Sequence, residues 1–313
     1  MKNKVCIISV YFGKFPNYFQ LFLNSCSRNK EFDFMIFTDC KCEYEYGDNV
    51  KIVYTTFDEL KRVINEKMGF ECNIVKPYKL CDFRPLFGVI FHEYLKEYTH
   101  WGHCDLDMIF GNLKKFISDE VLDEHDKILR HGHLTIYKNN SEVNENSKLS
   151  FSRGNYKLFL QSEYHYGFDE SAGINKIYEE NNIKQWGEMI FADINILFQK
   201  MRITAKKNFE DQYFIYDKGV INQVYYENNE RKEIEHAYIH LQKRKMTLYK
   251  DLEELGEKYI IGHDGFYSID TDEEILKVTK SQQIKRYVKF KIMIIKDKIT
   301  WNFKWRIIMK VKM

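Results

Sequence analysis

The sequence predicts an α/β protein in which a mostly parallel sheet is flanked by helices, and three observations carry that prediction. Apolar runs such as Val5 to Val10 are continuous rather than alternating, the pattern of strands buried on both faces. These runs alternate with segments whose apolar residues recur at helical spacing. The 313 residues are 44% hydrophobic and contain only three prolines, enough for a large core and too few breakers for long disordered linkers.

Taken in order, Val5 to Val10 is the first strand and Tyr11 to Pro16 a turn. Asn17 to Asn29 places Phe19, Phe22, Leu23 and Cys26 on one helical face. Phe34 to Phe37 is a second strand ending at Thr38-Asp39, and Val50 to Tyr54 a third. Thr56-Phe57-Asp58-Glu59 has the form of a capping box that opens a helix through Met68. Lys76 to Lys79 leads into a further helix with Leu80, Phe83, Phe87, Ile90, Phe91 and Leu95 on its apolar side. His100 to Asp107 reads as a buried strand, and Ile128 to Tyr137 as strand and turn. Asn139 to Lys148 is polar and reads as an exposed loop. Met189 to Phe198 reads as a helix, and Ala237 to Leu241 as a late strand.

A net charge of +2 gives no nucleic-acid signal over the whole chain. No GxGxxG or GxxxxGK[ST] follows a strand, which disfavours an ordinary dinucleotide fold and excludes a P-loop. The seven cysteines include no CxxC; Cys40 and Cys42 form a CxC without a second pair to complete a zinc pattern, so reduced thiols of a cytosolic protein are expected. The apolar run at the N-terminus is too short for a secretory signal, and no stretch suits a spanning helix. Composition shifts near residue 270, dividing the chain into a catalytic domain, 1–270, and a basic amphipathic C-terminal region, 271–313. There Lys285, Arg286, Lys289, Lys291, Lys296, Lys298, Lys304, Arg306, Lys310 and Lys312 interleave with Tyr287, Phe290, Ile292, Trp301, Phe303 and Trp305. That pattern suits an anionic membrane surface, or else a solvated helix or oligomer contact.

The chemistry concentrates in Trp101-Gly-His-Cys-Asp-Leu-Asp-Met-Ile-Phe-Gly111. Residues i and i+2 of a strand share a face, so Asp105 and Asp107 present two carboxylates side by side at a strand end. Such carboxylates repel unless a cation lies between them, and Mn2+ or Mg2+ prefers oxygen ligands. Apolar residues on both sides of the pair argue against an ordinary solvated loop. In a parallel sheet the ligand lies beyond the carboxyl ends of the strands. That rule gathers Tyr11 to Phe15, Thr38-Asp39, Lys79 to Arg84 and the aspartate pair at one edge. Lys79, Asp82 and Arg84 fall about a turn apart, free to share a ligand-facing side, the alternative being an internal Asp82–Arg84 ion pair.

Lys76-Pro-Tyr-Lys-Leu-Cys-Asp-Phe-Arg-Pro85, the Asp105-Asp107 segment, Arg130-His-Gly-His-Leu134 and His240-Leu-Gln-Lys-Arg244 together resemble a GT-A nucleotide-sugar glycosyltransferase. More narrowly they resemble a bacterial family linked to capsular and other surface polysaccharides, over about residues 4 to 265. The resemblance implies that Asp105, Asp107 and His240 bind Mn2+ or Mg2+ and, through it, the donor diphosphate. It places Tyr11 and Asp39 along the nucleotide, and Lys243 or Lys245 on the diphosphate. Lys79, Asp82 and Arg84 fall on the donor side, with Arg84 as a planar fork for phosphate or sugar hydroxyls. His131 and His133 either line the sugar pocket or are satisfied within their turn.

The implied reaction is metal-dependent hexosyl transfer from a nucleoside diphosphate sugar (UDP-galactose or UDP-glucose) to a lipid-linked surface glycan, at the inner face of the cell membrane. An inverting enzyme also needs a carboxylate base, for which Glu188 and Asp193 are the candidates; a retaining enzyme does not. Two alternatives stand beside it. A sugar nucleotidyltransferase would carry a Gly-rich basic loop after the first strand, which Tyr11-Phe12-Gly13-Lys14 matches poorly. A non-catalytic carbohydrate-binding protein would not need the paired aspartates.

Overall fold

The computed structural model describes residues 3–311, with the side chains of Asp297 and residues 301–311 outside that description. The aromatic and basic continuation expected at Trp301, Phe303, Lys304, Trp305, Arg306, Lys310 and Lys312 therefore lies outside the described residues.

The first half follows the apolar pattern closely. Strand β1 (Val5–Tyr11) leads into helix α1 (Phe19–Arg28), then β2 (Phe32–Thr38), β3 (Val50–Tyr54) and α2 (Phe57–Met68). The Thr56 hydroxyl accepts from the Glu59 N–H at 3.2 Å, and the Glu59 carboxylate accepts from the Thr56 N–H at 2.8 Å, closing the expected capping box. The next helix is broken. Pro77–Leu86 is a 3-10 stretch, followed by single turns at Phe87–Ile90 and His92–Leu95. Pro85 cannot donate to a preceding carbonyl, which removes one rung of any continuous α-helix there.

Strands β4 (His100–Cys104), β5 (Met108–Phe110), β6 (Lys127–His131) and β7 (Leu134–Lys138) come next. The polar segment expected as an exposed loop instead forms a turn of helix, Ser141–Glu145, and a 3-10 turn, Asn146–Lys148, that bury Val143, Asn144, Asn146 and Ser147. The Trp101 indole donates to Asn144 at 2.7 Å, so a polar residue is drawn inside by a buried donor. After β8 (Gln185–Trp186) the segment expected as a helix from Met189 is extended, with β9 (Ala192–Asp193) pairing into a sheet. The remaining strands are β10 (Tyr213–Asp217), β11 (Val220–Glu227), β12 (Glu230–His236), β13 (Tyr238–His240), β14 (Thr247–Leu248), β15 (Lys258–Ile261) and β16 (Gly265–Ser268). A helix spanning Lys280–Val311 closes the chain.

The protein is α/β with mixed sheets. The largest has seven strands in the order β3-β2-β1-β4-β7-β6-β8. β1 to β4 run one way, β7 runs against its neighbours, and β6 and β8 return to the first direction. Its inner strands are buried on both faces, as their apolar runs require. Val5, Ile7, Phe34 and Ile36 pack with α1, whereas Cys6, Ile8, Met35 and Phe37 pack with Leu60 and Ile64 of α2. A second sheet, β12-β11-β10-β15-β16-β14, is largely antiparallel. A small third sheet, β5-β13-β9, carries the residues that matter most below.

Candidate metal centre

Strand β4 ends at Cys104, so Asp105 and Asp107 lie on the bend between β4 and β5 rather than on the strand itself. The bend still brings their carboxylates to one place, because the third sheet aligns it with β13. His240 is paired with Met108 on one side and Asp193 on the other. The Leu241 N–H donates to the Asp107 carbonyl at 2.8 Å, fixing the register beside the aspartate. The imidazole Nε2 stands 3.4 Å from Asp107 and 3.8 Å from Asp105, while Nδ1 is 2.8 Å from Asp193. The ligand atoms of Asp105, Asp107 and His240 all lie within 4.8 Å of one another.

The electrostatics follow from this crowding. Burial alone would raise Asp107, but the His240 charge, its hydrogen bond and the Lys243 N–H hold the carboxyl down at about 2. Burial alone would lower His240; Asp107, Asp193 and Asp105 raise it to about 10. The imidazolium thus occupies the position of a cation among three carboxylates. An oxygen-rich set with one imidazole fits Mn2+ or Mg2+, and Asp193 on Nδ1 fixes Nε2 as the face turned to the aspartate pair. Asp193 also accepts from Gln242 at 2.9 Å. It is therefore engaged in holding His240 rather than free to act as a base.

Gln242 and Lys243 both have positive φ, 48° and 56°, a turn that aims the Lys243 N–H at the Asp107 carboxylate, 2.5 Å away. The Lys243 ammonium lies at the surface, 3.0 Å from the Tyr78 hydroxyl. Its neighbour Arg244 is buried against the carbonyls of Gln199, His263 and Phe198, so it clamps loops and does not face the site.

Arg84 reaches the centre as expected. It bonds Asp105 with one nitrogen, and with the other the Gly132 carbonyl at 2.9 Å and Asp169 at 3.0 Å. Lys79 and Asp82 do not join it at the edge. Both are fully buried, 2.8 Å apart, with the ammonium also donating to the Phe159 and Tyr164 carbonyls and Asp82 accepting from Tyr166 and Phe168 N–H groups. A 3-10 stretch has three residues per turn and so turns Lys79 and Asp82 to one side, inward, and Arg84 elsewhere.

Tyr11 lies on the open rim, close enough to Asp107 for that charge to raise its hydroxyl beyond the effect of burial. Asp39 accepts from the Gly13 N–H at 2.8 Å, bracing the loop after β1. His131 and His133 stack at 5.3 Å, and the His133 ring is 4.5 Å from His240. His133 is buried, with Nδ1 3.2 Å from the Tyr238 hydroxyl and no partner on Nε2 among the described residues. Burial, with His240 beside it, holds His133 well below the usual histidine range. Glu188 is exposed, and its backbone carbonyl accepts from the Ile190 N–H at 3.0 Å.

Two carboxylates at the site were not anticipated. Burial raises Asp169 well above the usual range against the pull of Arg84, and raises Glu170 with help from Asp105. They rise around Gly132, where a Cβ would sit 2.8 Å from a carboxylate oxygen of each, so a larger residue there would have to displace both. Tyr166 to Glu170 follows no helical or strand period, so no local signal in the sequence marks it.

Residues 7–270 match the model of a family described as a family of unknown function, DUF6625, and the chain belongs to that family. No curated protein matches it.

Proposed function

We propose that this DUF6625 protein is a metal-dependent glycosyltransferase of the GT-A type, moving a hexosyl group from a nucleoside diphosphate sugar to a surface-polysaccharide acceptor. The observation that carries the reading is the convergence of Asp105, Asp107 and His240 at the carboxyl ends of parallel strands, beside Arg84 and under a rim formed by Tyr11 and the loop braced by Asp39. Six of the seven strands of the main sheet share one direction, which favours the GT-A reading of the fold.

In transfer, the anomeric C–O bond to the diphosphate breaks and a bond to the acceptor oxygen forms, with the acceptor proton passing to a base or to the departing phosphate. A bound Mn2+ or Mg2+ supplies Lewis-acid neutralisation of the charge growing on the diphosphate. Asp105, Asp107 and His240 would hold that ion, and Asp193 would keep the imidazole in the right orientation. The Lys243 ammonium, at the surface beside the Tyr78 hydroxyl, would supply a positive charge suited to a phosphate. Arg84, Asp169, Glu170 and His131 offer donors and acceptors for sugar hydroxyls. Glu188 is the exposed carboxylate left for an acceptor-side base if the reaction inverts.

The acceptor is read as membrane-borne on a separate ground. Ile284, Val288, Ile292, Ile295 and Ile299 are at least half exposed and recur at helical spacing, flanked by Lys285, Lys289, Lys291, Lys296 and Lys298. Among the described residues no helix is long and apolar enough to cross a membrane. The contact proposed from the basic flank is with an anionic surface, on its cytoplasmic side.

The test is a thermal-shift and calorimetric series with UDP-hexoses, with and without Mn2+. Wild-type protein is expected to gain stability only when both are present. Asp107→Ala should lose that gain, at least a hundredfold in affinity, while remaining folded. Equal binding of UDP-sugar by wild type and Asp107→Ala would overturn the metal-centred reading. Removal of residues 281–313 should abolish sedimentation with phosphatidylserine vesicles and leave donor binding in place.

A further inference from the structure

Outside the candidate centre, the most distinctive reactive group is the CxC on the loop after β2. The Cys40 and Cys42 sulfurs are 3.0 Å apart, close enough to share a thiol proton, and Cys42 is exposed while Cys40 is half-buried. The other five cysteines differ from this pair. Cys6, Cys26, Cys72 and Cys104 are buried, and burial raises the Cys6, Cys81 and Cys104 thiols to about 12 and Cys72 to about 11. The loop itself is anchored on either side. The Cys40 N–H donates to the Thr38 hydroxyl, Asp39 accepts from the Gly13 N–H, and the Tyr44 ring packs edge-on against Phe15 and Phe19. The two thiols are therefore presented together, at the surface, on a segment held at both ends.

We propose that Cys40 and Cys42 form a redox-active dithiol that closes to an intraloop disulfide by exchange with a small-molecule disulfide such as glutathione disulfide. The Cys42 thiolate attacks one glutathione sulfur and expels the first glutathione thiolate. The Cys40 thiolate then attacks the Cys42 sulfur of that mixed disulfide and expels the second. The two protein thiols lose two electrons and two protons in all, and one glutathione disulfide becomes two glutathione thiols. This inference does not depend on the glycosyltransferase reading. Its consequence would fall on the loop that carries Asp39 and Tyr44, beside the candidate donor edge. The shared proton raises the Cys42 thiol and Lys14 opposes that, so the exchange is best run at mildly alkaline pH.

Lys41 lies between the two cysteines, which makes the product easy to read. Reduced full-length protein is incubated with glutathione disulfide, freed of excess reagent and digested with trypsin after alkylation. Expected is a loss of two free thiols without retained glutathione, and the peptides ending and beginning at Lys41-Cys42 should stay joined until dithiothreitol is added. Cys42→Ser should instead show no such joined peptides, with any glutathione retained on Cys40. Stable glutathione on the wild-type pair, separate peptides, or a disulfide between two copies would overturn the proposal.

Discussion

Two clusters of buried charge sit near one another along the chain and behave oppositely. In the first, Lys79 and Asp82 are fully buried, and each has its hydrogen-bonding capacity met by the other and by backbone groups of 159–168. In the second, Asp105, Asp107, Asp169 and Asp193 are joined by the cations Arg84 and His240, and Asp105 keeps about 30% of its side chain exposed. Burial of a charge is therefore not what marks a site in this molecule. The sealed cluster is balanced and inward, whereas the open one carries surplus negative charge at an edge a ligand can reach.

The comparison breaks first at the sealed pair. Lys79→Met leaves the Asp82 carboxylate buried without its cation and is expected to cost roughly 3–5 kcal/mol of unfolding free energy. Lys79→Met with Asp82→Leu should recover much of that loss, because neither charge is then stranded. Urea denaturation of the three proteins measures both. Neither variant that folds should alter Mn2+ affinity; if one does, the two clusters are coupled and the contrast drawn above fails.

A second measurement separates sealed chemistry from open chemistry by pH. His236 is buried with Nε2 3.0 Å from Gln223, and burial, with Lys206 in the same sense, lowers it from 6.5 to about 3. Between those values the unfolded chain binds a proton that the folded protein does not, so the folded state loses stability as pH falls from 6.5 toward 3. At about 1.4 kcal/mol per pKa unit the loss amounts to a few kcal/mol across the window. His236→Gln should flatten the acid limb of the stability curve, and Mn2+ should leave that flattening unchanged. An acid limb that disappears on adding Mn2+ would assign the pH dependence to the open edge instead.

How far the sequence made this legible differs between the same two regions. The strands from Val5 to Tyr54 and the Thr56 capping box were readable because continuous apolar runs and capping chemistry are local signals. That Asp105, Asp107 and Arg84 come together at one edge was legible too, since the ends of consecutive strands and the segment before them gather there. Lys79 and Asp82 point inward and not to the edge because Pro77–Leu86 is a 3-10 stretch, which no local pattern distinguishes from an α-helix and in which a residue five positions on points elsewhere. The apolar run from Met189 is too short to have a period that distinguishes helix from strand, and the pairing of β9 with β13 that makes it a strand is a long-range fact. The same pairing decides the role of Asp193, which no local pattern reveals.

That role supplies the mildest and most specific test of the open cluster. Asp193 pairs across from His240 and accepts from its Nδ1, so it would act on a metal held by Asp105, Asp107 and His240 through the imidazole. A carboxylate in that position raises the basicity of the histidine and fixes its rotation, and losing it typically weakens a metal site by about 10–100-fold. Asp193→Asn keeps the shape and the acceptor oxygen while removing the charge. It is expected to reduce Mn2+ affinity within that range, by calorimetry, and to leave the unfolding midpoint in the absence of metal nearly unchanged. If the protein is the transferase proposed above, its activity should recover when Mn2+ is raised to saturation, because no other candidate group is altered. Activity that stays lost at saturating Mn2+ would mean that Asp193 meets the substrate directly, and the distinction between a residue that holds a ligand and one that does chemistry would have to be redrawn at β9.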